Sequence, residues 1–184
     1  ESLYWIGRYV ERADDTARIL DVVVHQLLED SSVDPDQTSR VLLQVLDIEP
    51  PDQQLDVWSL TDLVAFGKDT KGGCSIVESI TAARENARGA REVTSTEMWE
   101  CLNTTYNALA ERERAARRLG PHEFLAYVEG RAAMFAGLAD STLSRGDSVD
   151  PLVAHEHLIG HTPQIGPLMR RRGLVAAGSE SGGA

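Results

Sequence analysis

SLYWIGRYVERADDTARILDVVVHQLL, residues 2–28, is the stretch whose reading decides the fold. Within it Leu3, Ile6, Val10, Ala13, Ala17, Leu20, Val24 and Leu27 recur at alternating intervals of three and four. That spacing puts all eight on one side of a helix and forms a continuous apolar seam. Trp5, Tyr9, Ile19 and Val23 widen the seam, so the helix is expected to pack against more than one neighbour. Ser31, Ser32 and Asp34-Pro35 end it.

The same periodicity continues downstream. Pro35 to Leu46 reads as a second helix with Val41, Leu42, Val45 and Leu46 inward, and Pro50-Pro51 breaks the chain after it. Ser59 to Phe66 reads as a third helix, followed by a loop at Lys71-Gly72-Gly73. A fourth spans Ser75 to Glu92, with Ile76, Ile80, Ala83, Ala87 and Ala90 along one face. Gly89 inside it costs about 1 kcal/mol relative to alanine, which suggests close approach by another backbone. Thr94 and Glu97 have capping-box spacing and open a fifth helix that carries Trp99, Leu102, Tyr106 and Leu109 and stops at Gly120. Pro121 suits the first turn of a sixth, whose stripe is Phe124, Val128, Ala132, Phe135 and Leu138. The expected fold is all-α, a bundle of about six helices over residues 1–145. Residues 146–184 gather proline and glycine without periodicity and read as a weakly ordered, dispensable tail.

Composition limits the function. The chain is 184 residues long, enough for one domain with its own core. Only 5% of residues are aromatic, and an alanine-rich, aromatic-poor core implies helices that approach closely. A net charge of −11 argues against a nucleic-acid or anionic-membrane binder, since both need a basic surface. No signal peptide or long apolar run is seen, so a cytoplasmic, membrane-free protein is expected. The missing initiator methionine suggests residues upstream of Glu1.

Chemistry-bearing patterns are sparse. The basic residues are 16 arginines and two lysines, Lys68 and Lys71, and arginine suits bidentate carboxylate or phosphate contacts. Arg8, Glu11, Arg12, Asp14, Asp15 and Arg18 crowd the first helix, and Arg84-Glu85-Asn86-Ala87-Arg88 with Arg91-Glu92 crowd the fourth. These stretches admit two readings. One is an arginine-lined recess for an anion, formed by Arg8, Glu11, Arg12, Arg84, Glu85, Asn86, Arg88 and Arg91. The other is ion pairing between helices, Arg8 and Arg12 with Glu85 or Glu92, and Arg84 or Arg88 with Glu11 or Asp15. Cys74 falls at a helix start, where a thiol pKa drops, but no base is placed beside it. Cys101 reads as a small helical residue. His155, His157 and His161 lack a fourth ligand at zinc spacing, and His25 and His122 belong to no constellation. No phosphate loop, dinucleotide fingerprint or Ser/His/Asp arrangement occurs, so no metal or cofactor is expected.

Taken together, the charged stretches resemble a known family. Ser2-Leu-Tyr-Trp-Ile-Gly-Arg-Tyr-Val-Glu-Arg-Ala13 with Thr16-Ala-Arg18 resembles the opening of the bacterial alpha-E family, an all-helical domain named for its Glu-Arg motif. Cys74-Ser-Ile76 leading to Ala83-Arg-Glu-Asn-Ala-Arg88, then Arg91-Glu92, Ser95, Glu97, Trp99, Glu100, Leu102 and Asn103, resembles its second signature, and Gly137-Leu-Ala-Asp140 with Thr142 a third. The resemblance covers residues 1–145. The family continues for about as long again, through a second half opening with a tryptophan and another Glu-Arg motif. Here Leu143-Ser-Arg-Gly-Asp-Ser148 approaches that opening, but Val149 stands in the tryptophan's place and Asp150-Pro151 begins unrelated sequence, as truncation or a frame shift would produce. The resemblance implies a circularly permuted ATP-grasp ligase as partner, a transglutaminase-like protein in the same system, and ATP-dependent peptide ligation or tagging as the setting. It implies no catalytic residue. Three functions are compatible with this: a non-catalytic partner of the ligase, an enzyme-like anion site with Glu11 or Glu85 as base, and a purely structural module.

Overall fold

The computed structural model describes residues 2–68 and 75–148, the side chains of 143–148 excepted. Cys74, the Lys71-Gly72-Gly73 loop, the histidine string and the tail from 149 onward lie outside the described residues. Six helices follow one another: α1 (Ser2–Glu29), α2 (Pro35–Val45), α3 (Val57–Phe66), α4 (Ile76–Gly89), α5 (Thr96–Leu119) and α6 (His122–Ser148). None of the described residues forms a β-strand. No helix among them is long and apolar enough to cross a membrane. The chain divides after Asp140 into two compact units, and the packing below belongs to the first, Glu1–Asp140.

Four helices, α2 to α5, start on a residue whose side chain satisfies free backbone N–H groups. Asp34 accepts from Asp36 N ahead of Pro35, and Asp56 accepts from Ser59 N. Ser75 and Glu78 form a full capping box on α4. For α5 the cap is Ser95, which accepts from Met98 N, and not the expected Thr94, whose hydroxyl donates back to Ala90 O at 3.0 Å. Thr94 still belongs to the turn that closes α4, so its hydroxyl faces the wrong helix. Terminators are equally local. At the end of α2, Asp47 adopts φ 57°, Ile48 N donates to Leu43 O and Asp47 N to Gln44 O, which caps the last carbonyls. At the end of α5, Gly120 takes φ 110°, a conformation that side-chain-bearing residues avoid.

Two hydrophobic clusters fill the bundle. The larger joins Ala13, Ala17, Leu20 and Val24 of α1 to Leu42, Leu43, Leu60, Val64, Phe66, Ile76, Ile80, Leu109, Phe124, Leu125 and Val128. The smaller joins Ile6 to Ala83, Ala87, Ala90, Met98, Cys101, Leu102 and Phe135, with Leu3, Tyr9, Val10, Trp99 and Leu138 packed on it. α1 packs chiefly against α4. The buried residues of the two helices include Ala13, Ala17, Ala83 and Ala87, each 2% exposed or less, and such small side chains let helix axes approach closely.

Some apolar residues point elsewhere than expected. On α2, Val41 and Val45 are exposed while Leu42 and Leu43 are buried beside Ser39. The helix carries two overlapping seams one position apart, and the buried serine disguises the one used. Trp5 and Ile19 do not extend the α1 seam inward but are 45% and 40% exposed. Gly89 is the last residue of α4, exposed, with open space where a Cβ would stand. It therefore marks the helix end and no close backbone.

α6 is tied to α1 at its start, where His122 Nδ1 lies 2.9 Å from Asp21 Oδ1. The hydrogen bond to Asp21, then its charge, lifts the imidazole above the usual histidine pKa. A raised folded-state pKa favours the protonated fold. Its contribution is complete below the unfolded pKa of about 6.5 and is lost as pH rises through the folded value. The ring is 77% exposed, so solvent limits the effect to about 1 kcal/mol or less. The melting-temperature gap between the parent and His122→Gln is expected to be wider below about pH 6 than above about pH 8; a gap that widens with pH would contradict this linkage.

Candidate functional site

The three charged or motif-bearing stretches are far apart in sequence, yet all contribute to the smaller cluster. Ile6 and Val10 come from the first, Ala83 and Ala87 from the second, and Met98 and Leu102 from its continuation. Leu138 comes from the third. The periodicity that buries these residues forces the charges between them outward, around one end of the bundle.

On α4 the charges meet α5. Arg84 is half-buried, its Nε donates to Asn103 Oδ1 at 2.9 Å, and its Nη1 donates to Glu85 Oε1 at 2.6 Å. Its guanidinium carbon lies 4.5 Å from the Tyr106 ring centroid and 5.6 Å from that of Trp99. Trp99, Asn103 and Tyr106 follow at four and three residues, so one α5 face forms a trough for this arginine. Glu85 also binds Arg88 at 2.8 Å. Arg91 lies beyond the end of α4 with its guanidinium carbon 5.1 Å from the Trp99 centroid. Asn86 donates to Ala82 O at 2.8 Å within its own helix.

On α1, Arg8 binds Glu11 at 2.8 Å, one helical turn on, and both side chains are more than half exposed. Arg12 is exposed and forms no ion pair among the described residues. Tyr4 stacks edge-on against Trp5 at 5.4 Å, and Trp5 lies 6.1 Å from Tyr9. Tyr4 is 62% exposed.

The structure thus joins Arg84, Glu85, Arg88 and, through Trp99, Arg91, and pairs Arg8 with Glu11 separately. The expected ion pairs between helices do not form: among the described residues none links α1 to α4. The reason is geometric, because the arginines that find a carboxylate here, Arg8, Arg84 and Arg88, find it on their own helix. Trp99 and Tyr106 serve as ring platforms for Arg84 and not as plain core residues, a role their spacing with Asn103 could have signalled.

A recess of about 20 Å³, space for roughly one water, lies among Val10, Ala13, Ile80, Cys101, Thr105, Arg131 and Phe135 and is lined almost wholly by apolar atoms. Burial raises the pKa of the Cys101 thiol, so it stays protonated. No group of three or more His, Cys, Asp or Glu able to hold a metal exists among the described residues. Both candidate bases, Glu11 and Glu85, are held by arginines in exposed pairs.

A family model for a predicted alpha-helical domain with a conserved ER motif matches residues 1–152, past the expected boundary at 145. No curated protein and no solved structure matches the chain.

Proposed function

The chain belongs to the Alpha-E family, and from that premise we propose that it is a non-catalytic helical partner of a circularly permuted ATP-grasp peptide ligase. It would complete the ligase assembly or position its peptide substrate, with a transglutaminase-like protein in the same system. The observation that carries this reading is the aromatic and arginine-rich end of the bundle. Tyr4, Trp5, Arg8, Arg12, Arg88 and Arg91 are all exposed. Tryptophan, tyrosine and arginine are the side chains that most often dominate protein–protein binding energy. Exposed aromatics next to cations bury well against a partner and poorly around a small substrate.

The test is co-purification and titration with the ATP-grasp protein of the same system. The parent is expected to co-elute with it. Trp5→Ala combined with Arg12→Ala should weaken binding by about 30-fold or more, as loss of a hot spot of about 2 kcal/mol requires, with an unchanged circular dichroism spectrum. Failure of the parent to bind, or full binding by the double variant, would overturn the proposal.

A further inference from the structure

Three arginines are half-buried among the described residues: Arg40, Arg84 and Arg131. Arg40 holds Asp36 at 2.8 Å and Arg84 holds Glu85 at 2.6 Å. Arg131 is different. It has no carboxylate within ion-pair distance among the described residues, in a chain whose net charge is −11. Its guanidinium is nevertheless held on two edges. Nε donates to Thr105 Oγ1 at 2.7 Å, and Nη2 to Cys101 O at 2.8 Å and Thr104 Oγ1 at 2.7 Å. Both hydroxyls spend their own protons on α5 carbonyls, Thr104 on Glu100 O and Thr105 on Cys101 O. Their lone pairs are therefore turned to the arginine. The remaining nitrogen, Nη1, faces only the Met134 thioether at 3.3 Å, a weak acceptor on a side chain 51% exposed.

A neutral cradle fixes the orientation of a guanidinium without neutralising it. The rotamer entropy is already lost, the charge is whole, and one N–H edge is open toward solvent. We infer that Arg131 is a carboxylate-binding site between α5 and α6, with Thr104, Thr105 and the Cys101 carbonyl as its positioning groups and Nη1 as the donor. A carboxylate suits it better than a phosphate, because one open edge with no second cation in contact offers few donors to a dianion. The carboxylate could be free or carried by a peptide. The inference stands apart from the ligase proposal, since it rests on α5 and α6 contacts that the proposal does not use.

The experiment follows the Arg131 Nε–H resonance of the whole chain by NMR. Sodium acetate, or a short acidic peptide blocked at both ends, is titrated at constant ionic strength against sodium chloride. A saturable shift is expected in the parent and in Arg118→Gln, an exposed α5 control. Tighter binding of the peptide assigns the site to a protein partner, and equal affinity assigns it to a free carboxylate. Arg131→Lys removes both the fork and the observed signal, so it is read by the Cys101 and Thr105 amides, which should no longer respond. Because that variant disturbs the α5–α6 contact, Met134→Glu provides a second test. A carboxylate placed one turn from Arg131 should occupy Nη1 internally, raise the melting temperature and abolish the response to acetate. No shift in the parent, or a response that survives in Met134→Glu, would overturn the assignment.

Discussion

Replacing Phe124 by alanine is expected to destabilise the fold by about 3–5 kcal/mol. The ring is fully buried and meets Phe66 edge-on, with centroids 4.7 Å apart. Only three phenylalanines occur in the chain, so few other large side chains can shift into the vacancy. The loss combines transfer of the ring to water with a cavity between α3 and α6 that backbone relaxation closes only in part. Urea unfolding should show a lower midpoint at an unchanged m-value. A loss below about 1 kcal/mol would mean that the larger cluster repacks freely.

A leucine at Ala87 acts through the opposite mechanism. Ala87 is fully buried on α4, in the smaller cluster that also holds Ile6 of α1. An added isopropyl group has no room unless the helices separate, and such overpacking costs about 1–3 kcal/mol. Ala126→Leu, at an exposed position of α6, is the control and should be close to neutral. If both variants melt alike, the close approach of α1 and α4 is not what orders the bundle.

Much of this architecture could be read from the residues. The seams of α1 and α4 were legible because each repeats over several turns and leaves one possible face. The face of α2 was not, because eleven residues carry two overlapping seams and the deciding member is a buried serine. The cap of α5 was missed by one position because Thr94 and Ser95 are both capable caps, and only the turn closing α4 selects between them. The charged residues were found, but their partners were not. Spacing says that Arg8 and Glu11, or Glu85 and Arg88, can pair within a helix, yet it cannot say whether a neighbour competes for them. Arg131 gave no signal at all, since its cradle consists of a carbonyl and two hydroxyls that only the α5–α6 packing brings together.

The central claim is that the charged motif residues decorate the end of the bundle and do not hold it together. Its most direct test is the melting temperature of the Glu11→Ala/Arg88→Ala double variant beside that of the parent. Each substitution breaks one pair spaced at three residues on a single helix, with both partners more than a third exposed. Such pairs contribute about 0.2–0.5 kcal/mol each. For a domain of this size the melting temperature should fall by no more than about 4 °C. A fall as large as that caused by Phe124→Ala, about 6 °C or more by the same scaling, would show that these charges are part of the structure and would contradict the account.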